Sequence, residues 1–474
     1  MQLSKSAYLQ KPHTSSKNGH AVVIGGSVAG LLASRVLADH FDRVTIIEKD
    51  YVPEKPTFRS GVPQSPHLHF LLKRGHIILE EFFPSFTEDL MSAGGQLVDM
   101  TADVAWLKPF GWASRFQSNF NVLTFSRDLL DWYLHKQVAA LENVTLIEGI
   151  WVKGLLCQDN KKVTGVSISI RDRNSPENSY QEEIEADLVV DASGRNSRAP
   201  QWLESLGYQA PEETVVNAHP GYASRVYEIP PGFKADWKAI YLQAAPPKRN
   251  RAGIIFPIEG NRWTLSTSSA APDYPPGDEA GFLEFVRNLA SPIIYETLQK
   301  ARPLSPIFTY RPSGNRRRYY EQLPKQPKGF IVTGDAVCTF SPVYAQGLTV
   351  AALGSLALDQ CLQNGLVGIE RRFQQELGNV VTVPWLTATT QDARYAGVEG
   401  KTQTLKERLM QAYMDGVDEL ATTNPDVCLK LFEVMHMLKS PDSLLEPALA
   451  TRVLGQALAN HFPFQRQSLQ EKRS

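Results

Sequence analysis

The chain has 474 residues, with 49 lysine and arginine residues against 50 aspartate and glutamate residues, a formal net charge of −1 and a hydrophobic content of 42%. This composition predicts a folded protein of two or three subdomains and excludes bulk disorder. It also excludes nucleic acid as the main partner, because binding phosphates requires clustered positive charge. Small molecules are therefore the expected ligands.

The cysteines and the hydropathy pattern limit the cellular setting. The four cysteines are far apart and form no CxxC pair, so we expect neither a disulfide framework nor a metal site. The polar stretch from Met1 to Lys17 and the lack of 18 consecutive apolar residues predict no signal peptide and no transmembrane segment. We therefore expect a cytoplasmic protein, with peripheral membrane contact left open.

The first elements predict a dinucleotide-binding turn. The apolar run His20 to Ile24, the turn Gly25-Gly26-Ser27-Val28-Ala29-Gly30 and the helical run after it indicate strand, tight turn and helix, and Val44 to Ile47 adds a second strand ending in Glu48. The N-terminus of such a helix offers free N–H groups to a pyrophosphate. Glu48 can accept hydrogen bonds from ribose hydroxyls and would repel a 2′-phosphate, which favours FAD or NAD over NADP. The alternative is an ordinary strand-to-helix turn.

A loop with several side-chain donors follows. It contains Arg59, Gln64, His67 and His69 between glycine and proline residues, and it leads into a helix from Leu71 to Phe83. Arg59, Gln64 and His67 are candidate catalytic residues, with Arg59 expected at the cofactor or at an acidic substrate group. In the alternative interpretation the histidines only cap the helix.

The middle of the chain predicts a second layer. Ser126 is a predicted N-cap, strands are predicted over Val144 to Gly154, Val163 to Ile170 and Asp187 to Asp191, and Ala218 to Ser268 predicts an antiparallel sheet. A buried strand from Gly329 to Thr333 ends in Gly334-Asp335, and the chain is mostly helical in pattern from Gly347 onwards.

This second acidic strand end distinguishes FAD from NAD. The Asp335 carboxylate can bind a ribityl chain, and the N–H groups around Gln346 and Gly347 can stabilise negative charge on a reduced flavin ring. The alternative is a buried strand end with a capping aspartate.

Together these motifs resemble the FAD-dependent monooxygenases of the para-hydroxybenzoate hydroxylase fold, and most closely the bacterial FAD-dependent epoxidases and hydroxylases of natural-product tailoring. The resemblance rests on the glycine turn, the loop from Arg59 to His69, Ser126-Arg127, Asp191-Ala192-Ser193-Gly194-Arg195, and Gly334-Asp335-Ala336 with Gln346-Gly347. It covers about Ala21 to Asn364.

The resemblance implies an α/β fold with a Rossmann-like FAD-binding domain of the glutathione-reductase type, an antiparallel β-sheet substrate domain and a helical C-terminal region. The implied limits are a disordered tail over 1–18, an FAD-binding domain over 19–210 and 303–364 with substrate-domain insertions near 85–125, a substrate domain over 211–302 and a helical region over 365–474.

The resemblance also implies the cofactor contacts. They are Gly25, Ser27, Val28, Ala29, Gly30, Glu48, Lys49, Arg59, Arg127, Val152, Ala192, Asp335, Pro342, Gln346 and Gly347. Many single-component hydroxylases have Asp-Gly where this chain has Ser193-Gly194, a segment associated with pyridine nucleotide binding. This departure argues against direct use of a pyridine nucleotide. NADH or NADPH is expected as the transient electron donor, either directly or through a separate flavin reductase.

The implied activity is insertion of one oxygen atom, by epoxidation or hydroxylation through a flavin C4a-hydroperoxide, into an apolar or aromatic natural-product-like substrate. Candidate substrate-lining residues, for each of which a position in the core is the favoured interpretation, are Trp112, Phe116, Phe256, Trp263 and Tyr310. Two alternatives remain: a flavin-dependent reductase or dehydrogenase of a lipid-like alkene, and a flavin-binding interaction protein without turnover.

A basic run and a single lysine are two further features of the sequence with a possible functional interpretation. The basic run Arg316-Arg317-Arg318 is expected on a solvated face, with a docking patch for a reductase as the alternative. Lys73 resembles the reactive amine of flavin halogenases, but the tryptophan-rich signature of those enzymes is missing, so no halogenase activity is predicted.

Overall fold

The computed structural model describes residues 18–171, 179–311 and 314–461. The predicted disordered tail therefore lies outside the described residues, apart from Asn18, which begins the first strand. The strands of the described residues are β1 (Asn18–Ile24), β2 (Phe41–Glu48), β3 (Gln96–Asp99), β4 (Val104–Lys108), β5 (Gly111–Trp112), β6 (Asn121–Thr124), β7 (Val144–Glu148), β8 (Ile150–Gln158), β9 (Lys162–Arg171), β10 (Ser179–Glu185), β11 (Leu188–Asp191), β12 (Glu213–Val216), β13 (Pro220–Glu228), β14 (Ala239–Leu242), β15 (Ala252–Ile258), β16 (Arg262–Ala270), β17 (Phe308–Tyr310), β18 (Asn315–Arg318), β19 (Phe330–Val332) and β20 (Cys338–Thr339).

The helices of the same residues are α1 (Val28–His40), α2 (Lys73–Phe82), α3 (Phe86–Ser92), α4 (Arg127–Ala139), α5 (Ala199–Ser205), α6 (Glu279–Arg287), α7 (Ile293–Leu298), α8 (Gly347–Leu362), α9 (Ile369–Asp392), α10 (Leu405–Thr423), α11 (Pro425–Met435) and α12 (Pro447–His461). The mixed α/β fold class is thereby confirmed. Ser126 is the N-cap of α4, as predicted, and its hydroxyl accepts from the Leu129 N–H at 3.1 Å.

A parallel sheet forms the centre of the largest core. Its strand order is β19-β11-β1-β2-β7, and all the pairings are parallel. Ala21, Val22 and Val23 of β1 are fully buried, because α1 packs on β1 and β2 and the three-stranded sheet of β8, β9 and β10 packs on β2 and β11. The order places the ends of β1, β11 and β19 side by side.

The stretch from Val144 to Gly154 is not one strand. Gly149 has a φ of +70°, a backbone conformation that glycine adopts without a steric penalty, and it separates β7 from β8. β7 is the edge of the parallel sheet, whereas β8 pairs with β9 in an antiparallel sheet of three strands. The prediction of a continuous strand here is therefore wrong.

The predicted antiparallel sheet is present and larger than expected. Its order is β17-β13-β16-β15-β14-β4-β5, and β4 joins it from more than a hundred residues earlier by pairing in parallel with β14. One core of this region includes Phe282 and Phe285 of α6, and another includes Phe256 together with residues of α10 and α11. The C-terminal helices thus pack against the sheet.

The basic run does not lie on a solvated face. Arg317 and Arg318 are buried in β18, where they pair with Glu321 at 2.7 Å and Glu213 at 2.9 Å. The prediction of an exposed basic patch is wrong because β18 lies between β12 and β20. Within the described ranges, no helix is long and apolar enough to cross a membrane.

Candidate cofactor and substrate site

Three strand ends meet at one edge of the parallel sheet. β1 ends before Gly25, β11 ends before Ala192, and β19 ends close to Gly334. A β-carbon added to Gly25 would lie 2.6 Å from the Ala192 carbonyl oxygen. Ligands of parallel sheets bind outside the carboxyl ends of the strands, so this edge is the expected place for a dinucleotide.

The glycine turn is held tightly. Gly25 has a φ of +100°, and its N–H donates to the Ile47 carbonyl at 2.9 Å. A β-carbon on Gly30 would lie 1.9 Å from the Gly25 carbonyl oxygen, so a larger residue there would push α1 away from the turn. The N-terminus of α1, which carries Val28 and Ala29, therefore starts directly at the strand end.

Glu48 stabilises this turn. Its buried carboxylate accepts from the Gly26 N–H at 2.7 Å and from the Asp50 N–H at 3.0 Å. Each oxygen of a carboxylate has more than one acceptor position, so ribose hydroxyls can still bind there. Lys49 lies beside Glu48 in the same wall, and its ammonium group is 5.5 Å from the centre of the Trp151 ring.

Arg59 belongs to a cluster of charged groups that contacts the glycine turn. Its Nε donates to Asp131 at 2.8 Å, and its Nη2 donates to the Gly26 carbonyl at 3.1 Å. Glu48 lies 3.4 Å from Nη1. Arg59 is buried, which opposes its charge, but these carboxylates outweigh burial and raise its pKa. The guanidinium is thus next to the turn and the expected ribose site.

Arg127 joins the same cluster and has an unused donor. It lies at the start of α4, and its Nη2 donates to the Ser27 hydroxyl at 2.9 Å. Its buried Nε has no hydrogen-bond partner among the described residues. A buried donor without a partner costs free energy, so a ligand that accepts at this position would stabilise the site. The oxygen atoms of a phosphate suit a guanidinium.

Asp335 forms the second acidic strand end. Its carboxylate accepts no hydrogen bond from the described residues and lies in the wall of the same cavity as Arg127. Burial raises the pKa of Asp335, and the nearby charges of Arg195, Arg127 and Arg316 oppose that shift. The carboxylate is therefore available to accept from ligand hydroxyls.

The loop before α8 is fixed from two sides. Asn315 of β18 accepts from the Ser341 N–H at 2.7 Å and donates to Asp392 of α9 at 2.6 Å, and Asp392 also accepts from the Tyr344 hydroxyl at 2.5 Å. On the other side, the Tyr222 hydroxyl accepts from the Val343 N–H at 3.2 Å. These contacts hold the segment that leads to the N-terminus of α8.

The end of that loop contains a second unpaired group. Ala345 has a φ of +53°, a left-handed conformation that costs about 1 kcal/mol for a residue with a β-carbon. It is followed by Gln346, whose buried Oε1 has no partner among the described residues, and by Gly347, which begins α8. Together with Pro342 these residues line the cavity.

One cavity of about 1920 Å³ connects all these groups. Ligand pockets usually measure about 300–1,000 Å³, so this cavity can hold a dinucleotide and a second molecule. The cavity wall includes Gly25, Ser27, Val28, Ala29, Glu48, Lys49, Arg59, Gln64, His67, Arg127, Val152, Ala192, Phe256, Tyr310, Asp335, Pro342, Gln346 and Gly347. The arrangement, with its unpaired Arg127 and Gln346 atoms, fits FAD.

Four of the candidate residues lie elsewhere. Gly30 supports the turn from behind, and Trp263 packs on Phe233 with ring centres 4.8 Å apart in a separate core. Trp112 is exposed at the β4–β5 turn, and neither it nor Phe116 is part of the cavity wall. The presence of apolar side chains in the sequence did not predict which face of the antiparallel sheet lines the cavity.

The C-terminal helices, which the sequence predicts to form part of the substrate wall, line the apolar part of the cavity. The lining residues not named as candidates from the sequence are Met410, Met414, Leu431, Met435, Met437 and Leu444. Tyr222, Asn315 and Asp392 were also missed, because their roles arise from contacts between segments far apart in the chain. Lys73 is not part of the cavity wall, although Leu72 and Arg74 on either side of it are.

These features define a flavoprotein with the para-hydroxybenzoate hydroxylase type of fold. The chain belongs to the FAD binding domain family, which matches residues 19–368. Protein Rv3254 of Mycobacterium tuberculosis (strain ATCC 25618 / H37Rv) is 33% identical over 349 residues, which is 73% of this chain and 73% of the relative.

Solved structures share the fold at low identity. The flavin-dependent brominase Bmp2 has a TM-score of 0.64 at 15% identity and covers 93% of this chain and 100% of its own. The p-nitrophenol 4-monooxygenase PnpA of Pseudomonas putida DLL-E4 has a TM-score of 0.59 at 14% identity, covering 87% of this chain and 96% of its own.

Proposed function

We propose that the protein is an FAD-dependent monooxygenase that inserts one oxygen atom, by epoxidation or hydroxylation, into an apolar or aromatic natural-product-like substrate. The observation that carries the proposal is the continuous cavity, which runs from the glycine turn past Asp335 to a chamber lined by apolar residues of the C-terminal helices. The activities named for PnpA and Bmp2 support a reaction of flavin with oxygen.

Each end of the cavity would bind one part of FAD. The N-terminus of α1 and the unpaired Nε of Arg127 bind the pyrophosphate, Glu48 the ribose and Asp335 the ribityl chain. The N–H groups at Gln346 and Gly347, at the N-terminus of α8, stabilise negative charge on the ring. Bound FAD supplies the redox chemistry by accepting electrons from NADH or NADPH, directly or through a flavin reductase, and reacting with dioxygen.

The protein's own task is to position the substrate and exclude water. The Ser341 to Gly347 loop is held by Asn315, Asp392 and Tyr222, so the ring site is preorganised. The apolar chamber beside this loop removes substrate surface from water and limits wasteful release of hydrogen peroxide. Few ionisable catalytic groups are needed because the cofactor performs the redox step.

The decisive experiment starts from purified protein with its flavin spectrum. A panel of apolar and aromatic compounds is tested for oxygen consumed against hydrogen peroxide released, with NADH and NADPH compared and a flavin reductase added or omitted. Substrate-stimulated oxygen uptake with little peroxide supports the monooxygenase. Turnover without oxygen would instead support a reductase or dehydrogenase, and products formed only with added bromide would support a halogenase.

A protein that binds flavin but shows no substrate-stimulated oxygen uptake would be an interaction protein without turnover. Absence of any flavin after expression and reconstitution would contradict the proposal altogether.

A further inference from the structure

His67 is held by the antiparallel sheet, beside a residue that contacts the loop from Ser341 to Gly347, called the ring loop below. Its Nδ1 lies 2.8 Å from the Ser224 hydroxyl, and its ring centre lies 5.5 Å from that of Tyr310 and 6.2 Å from that of Tyr222. Tyr222 in turn accepts from the Val343 N–H of the ring loop. The imidazole is therefore one residue away from the segment expected at the flavin ring.

The hydrogen bonds behind His67 run through two serine hydroxyls. The Ser266 hydroxyl oxygen accepts from the Leu68 N–H at 3.0 Å and lies 2.5 Å from the Ser224 hydroxyl. Either hydroxyl can donate in this contact. In the arrangement adopted for the proposal below, Ser266 donates to Ser224 and Ser224 donates to His67 Nδ1, which leaves the ring proton on Nε2.

The imidazole is neutral near physiological pH. Burial lowers the pKa of His67 to about 4. The groups packed against it are the Tyr222, Tyr310 and Ser224 side chains, and none of them is an anion that would favour the charged ring. A neutral ring whose Nδ1 accepts has one remaining function, which is to donate from Nε2.

The donor faces the cavity. His67 is part of the cavity wall, and Nε2 has no hydrogen-bond partner among the described residues. The wall residues in ring contact with His67 are Tyr310 and Tyr222. A partly buried N–H without a protein partner discriminates for a ligand that has an acceptor oxygen.

We propose that His67 is a substrate-positioning residue whose Nε2–H donates to a carbonyl or aromatic hydroxyl oxygen of the substrate. The substrate class is thereby an apolar ring system that bears one acceptor oxygen. This inference rests on the proposed function, because it assigns the cavity to an oxygenation substrate. It concerns binding, however, and can be tested without turnover.

The test compares two probes of the same shape on the oxidised holoprotein. 1-Tetralone and tetralin share the same fused ring skeleton, and the first has a carbonyl oxygen where the second has a methylene. Binding is followed by perturbation of the flavin absorbance and by tryptophan fluorescence, which also reports on protein without flavin. Wild-type protein is expected to bind tetralone several-fold more tightly than tetralin.

Variants separate the hydrogen bond from packing. His67→Ala should weaken tetralone binding about 3- to 10-fold relative to tetralin, as expected for loss of one hydrogen bond. His67→Gln places an amide donor near the Nε2 position and should restore part of the preference. Ser224→Ala, which removes the group that fixes the ring proton, should reduce the preference without abolishing binding. His76→Gln is the matched control, since His76 bonds to Thr87 outside the cavity wall.

Other outcomes would contradict the role of His67, the proposed substrate class or the proposed function. Equal weakening of both probes in His67→Ala would show that the ring contributes packing alone, and an unchanged preference would show that Nε2 donates to no ligand. Failure of wild-type protein to bind either probe at millimolar concentration would exclude this substrate class. A retained tetralone preference without substrate-stimulated oxygen uptake would contradict the proposed function but support the role of His67.

Discussion

Gly334 and Ala29 lie so close together that a β-carbon added to Gly334 would be 2.6 Å from the β-carbon of Ala29. The two residues are about 300 positions apart in the chain, yet they follow strands of the same sheet, β19 and β1, with β11 between them. The turn expected to bind pyrophosphate and the strand end expected to bind the ribityl chain therefore share one edge. This proximity is the geometry that the proposed binding of both halves of one FAD molecule requires.

This contact predicts the effect of Gly334→Ala. The new methyl group would collide with Ala29, and the φ of +63° at this position disfavours any β-carbon. We expect the Asp335 segment to move away from α1 and FAD affinity to fall at least tenfold, measured by flavin fluorescence on reconstitution. Gly455→Ala is the control, because nothing lies within 4 Å of its added β-carbon. Normal FAD binding by Gly334→Ala would contradict the assignment of Asp335.

The unpaired Nε of Arg127 predicts a phosphate contact. Arg127→Gln keeps a polar group but removes the charge, and Asp131 retains its partner Arg59. A hydrogen bond to a charged group contributes about 1.5–3 kcal/mol, so FAD affinity should fall by about 10- to 150-fold. Equilibrium dialysis with FAD and with riboflavin distinguishes the cause, since riboflavin has no phosphate and its affinity should change little.

Arg302→Gln is the matched control for that experiment, because Arg302 is an exposed arginine that is paired with Glu228 and is not part of the cavity wall. An equal loss of FAD and riboflavin affinity in Arg127→Gln would indicate general disruption of the site instead.

The buried Asp392 predicts a coupling between α9 and the ring loop. Its two oxygens accept from Tyr344 and Asn315, and Asp392→Asn would place an amide N–H₂ group against one of these donors. An unsatisfied buried polar pair costs about 1–3 kcal/mol, so the free energy of unfolding should fall by that amount. Flavin dissociation should also become faster, measured by dilution in a fluorimeter.

Tyr344→Phe tests the same network more gently, because it removes one donor and leaves a carboxylate that still accepts from Asn315. If both variants unfold and release flavin like the wild type, the network has no role in holding the loop.

The buried histidines predict acid sensitivity. Burial lowers the pKa of His436 to about 3, whereas an unfolded histidine titrates near 6.5. Below pH 6.5 the unfolded state thus binds a proton that the folded state does not, so the contribution of His436 to stability is complete above that pH and falls as pH decreases. The expected slope is about 1.4 kcal/mol per pH unit for one such residue.

His436→Gln should remove this contribution. Urea unfolding at pH values from 6 to 4.5 should give a free energy that decreases less steeply in the variant than in the wild type. His40→Gln is the comparison, since His40 is partly exposed and pairs with Asp359. Parallel curves for wild type and His436→Gln would show that His436 is not buried as a neutral ring.

Local patterns were sufficient to predict that the glycine turn, Glu48 and Asp335 follow strands of one parallel sheet. The glycine turn, Glu48 and Asp335 follow strands in the sequence itself, and the carboxyl ends of parallel strands must meet at one edge. The residues on the proposed substrate side of the cavity could be predicted less well from the sequence. Trp263 and Phe256 are both aromatic and lie on neighbouring strands. Phe256 pairs with Thr264 and Trp263 pairs with Pro257, so the two side chains are one position apart in register. Only the assembled sheet shows that Phe256 is the one in the cavity wall.

The amino-acid sequence by itself determined the parallel sheet, the turn and the expectation of FAD, because those features depend on spacing within short segments. Only the tertiary structure decided that Arg59 pairs with Glu48 and Asp131, that Arg317 and Arg318 of β18 are buried, and that His67 contacts Ser224. The physical reason is that hydrogen bonds and ion pairs between distant segments depend on strand register and helix packing, which no local pattern of residues encodes.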